Sequence, residues 1–208
     1  MKLNKTIAVV ATSAVLLAGC TTDKKEIKAY DEQVQNAFDK EKPVANVSKK
    51  INKLEEEKQK LFKKANEKDQ QTREKAADDI VENVEKREKE FKKEEKALDD
   101  SEKEFKKAES HIDNIDNKDK KKEVEELDKA IKDKYKSHSD YAKAYKKALE
   151  KEKSLFSFIN KDGATQDQVD EKSKELGKAY KDMNKKFKAY SKAMNKVNKE
   201  KQDVDQLK

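Results

Sequence analysis

Residues 124–159 read VEELDKAIKDKYKSHSDYAKAYKKALEKEKSLFSFI, and positions three and four residues apart along them are mostly apolar or aromatic. This spacing is that of a heptad repeat, in which a narrow stripe of one helix packs against a partner helix. The stripe consists of Val124, Leu127, Ile131, Lys134, His138, Tyr141, Tyr145, Ala148, Glu152, Leu155 and Ile159. A disordered segment has no reason to keep such a register, so the stretch predicts a long helix.

Three further runs, over residues 44–65, 77–115 and 169–204, keep the same spacing. Each run therefore predicts another helix with one narrow buried stripe. Charged side chains occupy some of the stripe positions, among them Arg87, Lys134, Glu152 and Lys201. Because a buried charge is costly, we expect these four to reach the solvent edge of the packed helices or to mark frayed regions.

Turn-forming residues separate the runs. Polar stretches at residues 66–72, 114–117 and 160–163 predict the three connections. Thr165 and Gln168 have the spacing of a capping box, which predicts that the last helix begins there. Pro43 lacks a backbone N–H and disfavours a helical Lys42, so residues 27–42 are expected to form a separate or kinked helical piece.

Short connections make neighbouring helices antiparallel. The sequence thus predicts an all-α fold, an elongated up-and-down bundle of three to four long, coiled-coil-like helices. Helices of roughly 40 residues would give a rod about 60 Å long, and we expect a monomer. The alternative is that the heptads pair between molecules in an oligomeric coiled coil, although the turn at Gly163 disfavours a continuous one.

The first twenty residues have the pattern of an export signal. A basic tip with Lys2 and Lys5 precedes an apolar run over residues 7–17, and Leu17-Ala18-Gly19-Cys20 has the form of a lipobox. We therefore predict cleavage between Gly19 and Cys20 and a diacylglyceryl anchor, with palmitate-type chains, on Cys20. The apolar run is too short for a transmembrane helix, which needs about 20 residues.

This interpretation divides the chain into a signal peptide (1–19), a lipidated cysteine with a short tether (20–25) and a helical bundle domain (26–208). It places the protein on the outer face of the cytoplasmic membrane of a Gram-positive cell. Charged residues make up 47% of the chain, and the formal net charge is +7. Lysine and glutamate are interleaved along most of its length, which is typical of solvated helices and not of a nucleic-acid tail.

The sequence offers little catalytic chemistry. It has two histidines, one cysteine and three glycines, so it holds no His/Cys metal motif and no glycine-rich phosphate loop. With 45 acidic residues, no particular carboxylate pair can be singled out. We therefore expect no catalytic residues, no metal, no cofactor and no enzymatic activity. His138 is expected to be a partly buried, hydrogen-bonded side chain, and His111 a cation near a helix C-terminus.

The most suggestive surface is the last helix, where lysines alternate with Tyr180, Phe187 and Tyr190. The candidate residues for binding an anionic polymer are Lys178, Lys181, Lys185, Lys186, Lys188, Lys192, Lys196 and Lys199. The alternative is an ordinary solvated face with its aromatic residues in the core. We expect the lysines to fall on several sides of the helix, which favours that alternative.

Several stretches resemble one protein family. Residues 5–10 (KTIAVV), 17–30 (LAGCTTDKKEIKAY), 110–116 (SHIDNID), 137–147 (SHSDYAKAYKK) and 199–205 (KEKQDVD) are similar to the YkyA-type lipoproteins of staphylococci and bacilli, which are described as cell-wall-binding. The resemblance implies a lipid-anchored, all-helical protein on the outer face of the membrane. It supplies no catalytic or ligand residue.

The leading hypothesis is a lipid-anchored, non-enzymatic protein that contacts teichoic acid or peptidoglycan through its lysine-rich last helix. An alternative is a scaffold that binds an envelope protein, or a second copy, through a helical seam marked by Arg87 and Glu152. A wall hydrolase is the least favoured class. Nucleic acid is not expected as a partner, because an exported protein does not meet the chromosome.

Overall fold

A computed structural model of the chain describes residues 15–160 and 163–208. All regular elements in this part are helices. They are α1 (Val15–Lys40), α2 (Lys42–Lys64), α3 (Gln70–Phe105), the short α4 (Glu109–Ile112), α5 (Lys118–Ile159) and α6 (Gln166–Asp205). The predicted all-α bundle is confirmed, with α1 and α2 together forming the first of its four rods.

Ion pairs between rods show that neighbours run antiparallel. Between α3 and α5, Lys153 pairs with Glu85 and Lys146 pairs with Glu95, so the residue numbers rise on one helix as they fall on the other. The Lys151–Glu175 and Lys186–Asp140 pairs give the same sense for α5 and α6. The apolar stripes therefore meet one another within a single chain.

The break at Pro43 is sharper and shorter than expected. Only Glu41 separates α1 from α2, and Lys42 is the first residue of α2, so the prediction of a non-helical Lys42 is wrong. Pro43 lies in the first turn of α2, where its missing N–H would have no partner in the helix. The Glu41 N–H donates to the Phe38 carbonyl at 3.0 Å, which carries the chain across the junction.

The three predicted connections are confirmed at residues 65–69, 113–117 and 160–165. Side chains cap the helices that follow: Asp69 accepts from the Thr72 N–H at 2.8 Å, and Asn117 caps α5. At the start of α6, the Thr165 N–H donates to Gln168 Oε1 at 3.2 Å, as the capping box predicts. The run over residues 77–115 is not one helix, because α3 ends at Phe105 and α4 follows.

The core consists of apolar clusters separated by buried polar layers. One cluster joins α1, α3, α4, α5 and α6 at the end of the bundle where α5 begins and α6 ends, and two smaller clusters follow towards the other end. Between them lie Arg87 (0% exposed), Lys134 (4%) and Glu152 (0%). The expectation that these three reach solvent is wrong. Lys201 lies nearer the surface and pairs with Asp31 of α1 at 2.6 Å.

The start of α1 is held firmly against the bundle. The carboxylate of the buried Asp23 accepts from the backbone N–H groups of Asp116 at 2.8 Å and Asn117 at 3.2 Å. The tether predicted for residues 20–25 is helical and belongs to α1. Residues 1–14 lie outside the described residues, and Gly19 and Cys20 are described only as helical backbone.

Within residues 15–160 and 163–208, no helix combines the length and the apolar character that a membrane crossing requires.

Candidate functional site

Seven lysines of α6 share one outward face of the helix. They follow one another at steps of three or four residues, which brings them to the same side of a helix with 3.6 residues per turn. All seven are exposed, and together they are called the lysine face: Lys174, Lys178, Lys181, Lys185, Lys188, Lys192 and Lys196. The face extends for about 33 Å at 1.5 Å per residue.

The predicted candidates divide into three groups. Six of them belong to the lysine face. Lys199 continues the stripe, but its ammonium lies 3.4 Å from Glu200 and 3.6 Å from Asp203. Lys186 points to another side and lies 3.5 Å from Asp140 of α5. The expectation that the lysines of this helix fall on several sides therefore holds for Lys186 and Lys201, which face α5 and α1, whereas most of the candidates share one side.

The charges of the lysine face are not neutralised within the described part of the chain, where none of its seven lysines forms an ion pair. Many exposed lysines elsewhere do, as in Lys96–Asp100 at 2.6 Å and Lys50–Glu90 at 3.7 Å. The basic residues of α5 provide the clearest contrast, since Lys146 and Lys153 reach across to carboxylates of α3 at 2.7 Å. The positive potential of the lysine face is thus directed at solvent.

An open surface follows this face. In the described part of the chain it is bordered by residues of α6 alone: Gly177, Lys178, Tyr180, Lys181, Asp182, Asn184, Lys185, Lys188, Ala189 and Lys192. Such a surface is accessible along the helix and does not enclose a small molecule.

The aromatic residues of α6 behave differently from one another. Tyr190 is buried and packs on His138 with ring centroids 5.1 Å apart. Phe187 is 46% exposed and packs its ring against Tyr141 at 5.3 Å. The expectation that these aromatics belong to the core holds for Tyr190, whereas Phe187 lies at the margin of the solvent-facing surface.

A buried ion network lies behind this helix. Arg87 of α3 donates to Glu152 Oε1 of α5 at 2.6 Å and to Glu55 Oε1 of α2 at 2.7 Å. The Tyr180 hydroxyl donates to the second oxygen of Glu152 and accepts from Lys58 of α2 at 3.1 Å. Burial opposes the charge on Arg87, but the two carboxylates prevail and raise its pKa. Burial, with the negative Glu152 beside it, raises the pKa of Tyr180.

A second buried pair crosses the bundle at the α1–α2 junction. Lys134 of α5 donates to both carboxylate oxygens of Glu41, at 2.5 Å and 2.6 Å. Burial lowers the pKa of Lys134, and the Glu41 carboxylate opposes that shift. The Ser101 hydroxyl donates to Glu41 Oε1 at 2.6 Å and contacts the Tyr135 hydroxyl at 2.7 Å. These networks fix the register of the helices and thereby hold the lysine face in place.

Both histidines form hydrogen bonds with carboxylates. His138 is buried, and its Nε2 lies 3.2 Å from Glu94, which agrees with the predicted structural role. His111 belongs to the last turn of α4, and its Nδ1 lies 2.9 Å from Glu26 of α1. The hydrogen bond from His111 lowers the pKa of Glu26.

Three carboxylates come together where α5 begins and α6 ends. Glu123, Glu200 and Asp203 each bring one oxygen within 4.8 Å of the others. The sequence predicted no metal site, because acidic residues are so frequent that this set carries no distinctive pattern. It is the one grouping of three or more His, Cys, Asp or Glu with metal-ligand geometry among the described residues.

Comparisons with known proteins give a family and a fold. The family model YkyA, described as "Putative cell-wall binding lipoprotein", matches residues 25–207. A solved 1.6 Å crystal structure, described as a conserved protein of unknown function from Staphylococcus aureus, is 52% identical in sequence and superposes with a TM-score of 0.82. The match covers 89% of this chain and 95% of that one. No match was found among curated proteins.

Proposed function

Because the chain belongs to the YkyA family, whose model is described as "Putative cell-wall binding lipoprotein", we propose that it is anchored through Cys20 and holds a phosphate-rich wall polymer of the teichoic-acid type along its lysine face. The observation that carries this proposal is the row of seven exposed lysines on α6 that form no ion pair among the described residues. The proposed role is one of contact, without catalysis.

The physical argument rests on regular spacing. Successive ammonium groups follow the helix axis at steps of about 4.5–6 Å, so a polymer with one negative charge per short repeat can meet several of them at once. Each contact is weak in water, and salt screens it within about 8–10 Å. Many contacts on one rigid helix add up, and the release of counterions makes the total strongly salt-dependent.

The row of lysines and the packing of α6 support a linear ligand. The open surface that these lysines border runs along the helix from Gly177 to Lys192. Since Tyr180 and Tyr190 fix α6 from beneath, the lysines project from a scaffold that is already ordered before binding. On the protein's side, only the lysine side chains lose freedom when the polymer binds, which limits that part of the entropic cost.

The seam charges that motivated the scaffold alternative do not favour it. Arg87 and Glu152 are paired with each other at 2.6 Å and are fully buried, so they present nothing to a partner protein. The exposed positive row remains unexplained by that alternative and is explained by a polyanion.

The test is co-sedimentation of the full-length protein, purified in a non-ionic detergent, with isolated cell wall. A variant with glutamine at Lys181, Lys185, Lys188 and Lys192 removes four charges from the lysine face. A matched variant with glutamine at Lys49, Lys53, Lys89 and Lys129 removes four exposed lysines that lie on three other helices, α2, α3 and α5. Both variants have the same net charge.

We expect the first variant to bind at least ~10-fold more weakly at low salt and to show a shallower dependence of log affinity on log salt, while the matched variant stays close to wild type. Wall stripped of its phosphate polymer should retain little wild-type protein. Equal losses in the two variants, or unchanged binding to stripped wall, would refute the proposal.

A further inference from the structure

The carboxylate cluster at the end of α6 has the geometry of a cation site. Glu200 and Asp203 are three residues apart and share one side of the helix, and Glu123 faces them from the second turn of α5. Their oxygens lie within 4.8 Å of one another. Three like charges this close repel one another unless a cation lies between them.

Glu200 provides a second, independent sign of a missing ligand. Its side chain is only 5% exposed, yet its Oε2 atom is fully buried and has no hydrogen-bond partner among the described residues. Leaving a buried charged oxygen unpartnered is costly, and buried charges in proteins are normally paired or coordinate a metal. Its other oxygen, Oε1, accepts from Lys199 at 3.4 Å, and one oxygen of this carboxylate lies within 4.8 Å of oxygens of Glu123 and Asp203.

Lys199 neutralises this space only in part. Its ammonium lies 3.4 Å from Glu200 Oε1 and 3.6 Å from Asp203, and its side chain is 72% exposed. A single lysine next to three carboxylates leaves two negative charges uncompensated. Because its side chain is mostly exposed, the lysine can also turn away into water.

We propose that Glu123, Glu200 and Asp203 bind a divalent cation and that Ca²⁺ is preferred to Mg²⁺. Ca²⁺ accepts six to eight oxygens at about 2.3–2.6 Å in irregular geometry, so ligands on opposite sides of it lie about 4.6–5.2 Å apart. Mg²⁺ requires a tighter octahedron at about 2.0–2.1 Å and gives up its water reluctantly. Carboxylates from two helices, completed by water, suit the larger ion.

Three carboxylates and water make a weak site by the standards of a dedicated calcium loop. Its dissociation constant should lie near ~10⁻⁴–10⁻³ M, the range of extracellular calcium modules. The ion would join the beginning of α5 to the end of α6. Asp23 of α1 caps the beginning of α5, so the same ion would stabilise the end of the bundle where the chain enters from Cys20.

The test is calorimetric titration of the full-length protein in non-ionic detergent with CaCl₂ and, separately, MgCl₂. We expect one Ca²⁺ per chain, weaker binding of Mg²⁺, and a rise in melting temperature of roughly 3–6 °C at ten times the dissociation constant. Glu200→Gln should weaken Ca²⁺ binding at least ~10-fold, because it removes the one ligand that is buried and charged.

Three more variants make the result specific. Asp203→Asn should weaken binding as Glu200→Gln does, and it changes a more exposed side chain, so the fold is less at risk. Lys199→Met should tighten binding, because it removes the competing ammonium. Asp182→Asn, an exposed acid of α6 away from the cluster, should bind as wild type. The proposal fails if Ca²⁺ gives no saturable binding up to roughly 10 mM, or if Glu200→Gln binds as wild type does.

Discussion

The buried ion network gives the sharpest stability prediction. Glu152→Gln keeps the shape of the side chain but removes the charge that accepts from Arg87 and Tyr180. The network holds Arg87 and Lys58 against Glu55 and Glu152, so the variant leaves one uncompensated positive charge in the core. Breaking a buried pair in this way costs about 3–5 kcal/mol, a large part of the 5–15 kcal/mol that stabilises a typical domain.

The assay is urea unfolding of the full-length protein followed by circular dichroism at the helix band. We expect the midpoint to fall strongly, with a melting temperature lower by roughly 6–20 °C. Arg87→Met should cost a similar amount. The double variant Arg87→Met, Glu152→Gln should be at least ~2 kcal/mol more stable than the sum of the single effects predicts, since Lys58 and Glu55 remain paired.

An ion pair on the surface provides the control for this comparison of single and double variants. Lys96 and Asp100 lie 2.6 Å apart, as close as Arg87 and Glu152, but both are exposed to water. Lys96→Gln should therefore cost no more than about 0.5 kcal/mol. A loss of less than ~1 kcal/mol for Glu152→Gln would show that burial does not strengthen this network. The same would follow if the effects of Arg87→Met and Glu152→Gln were strictly additive in the double variant.

Three further predictions concern other parts of the fold. Glu41→Gln should destabilise the fold more than Lys134→Met does. The first variant leaves the buried ammonium of Lys134 without its charged partner, whereas the second leaves Glu41 unpaired but with some access to water. The free energies of unfolding of the two variants test this order. Gly163 has φ +80°, which alanine adopts only with strain, so Gly163→Ala should lower the free energy of unfolding by about 1 kcal/mol. Gly177 lies within α6 with open space around it, so Gly177→Ala should raise that free energy by about 0.5–1 kcal/mol. Melting temperatures that shift in the same direction for both variants would contradict this. The hydrogen bond from His111 lowers the pKa of Glu26 in the folded state. The stability that this carboxylate contributes is therefore present above pH 4.5 and is lost as the pH falls through its folded-state pKa. Glu26→Gln should make the free energy of unfolding less dependent on pH between about pH 3 and 5, and parallel curves for variant and wild type would refute this.

The helices, their order and their connections could be predicted from the sequence because they follow from local patterns. The heptad spacing, the breaks at residues 66–72 and 114–117 and the capping box of Thr165 each depend on residues close together in the chain. The end of α3 at Phe105 escaped prediction, since the apolar spacing continues unbroken across it to Ile112. No glycine or proline marks that break.

The buried charges could not be placed from sequence because their partners come from other helices. When α3 is considered alone, a charged residue such as Arg87 at a stripe position is expected to reach solvent. It is stable inside only because Glu55 and Glu152, 32 and 65 residues away, reach the same level of the bundle. The carboxylate cluster was missed for the same reason, as Glu123 and Glu200 meet only after α5 and α6 have packed. The lysine face, in contrast, depends on spacing within one helix.

The position of the lysine face along the rod constrains how a lipid-anchored chain could use it. Asp23 is fixed to the bundle, and the three peptide steps from Cys20 to Asp23 span at most about 11 Å. A lipid on Cys20 would therefore hold this end of the rod against the membrane. Lys196 lies in the part of α6 nearest that end, since the C-terminal Lys208 carbonyl accepts from Lys24 of α1 at 3.3 Å.

From Lys196 the face leads away from that end for about 33 Å to Lys174. A phosphate polymer rooted in the same membrane could follow it over its whole length, whereas a polymer rooted in the outer wall would meet the distal lysines first. Exchanging only Lys174, Lys178 and Lys181 for glutamine should then weaken binding to both polymers, but exchanging only Lys188, Lys192 and Lys196 should selectively weaken binding to the membrane-rooted one. If the two triple variants weakened the binding of both polymers equally, the lipid anchor would not determine which end of the lysine face a polymer meets first.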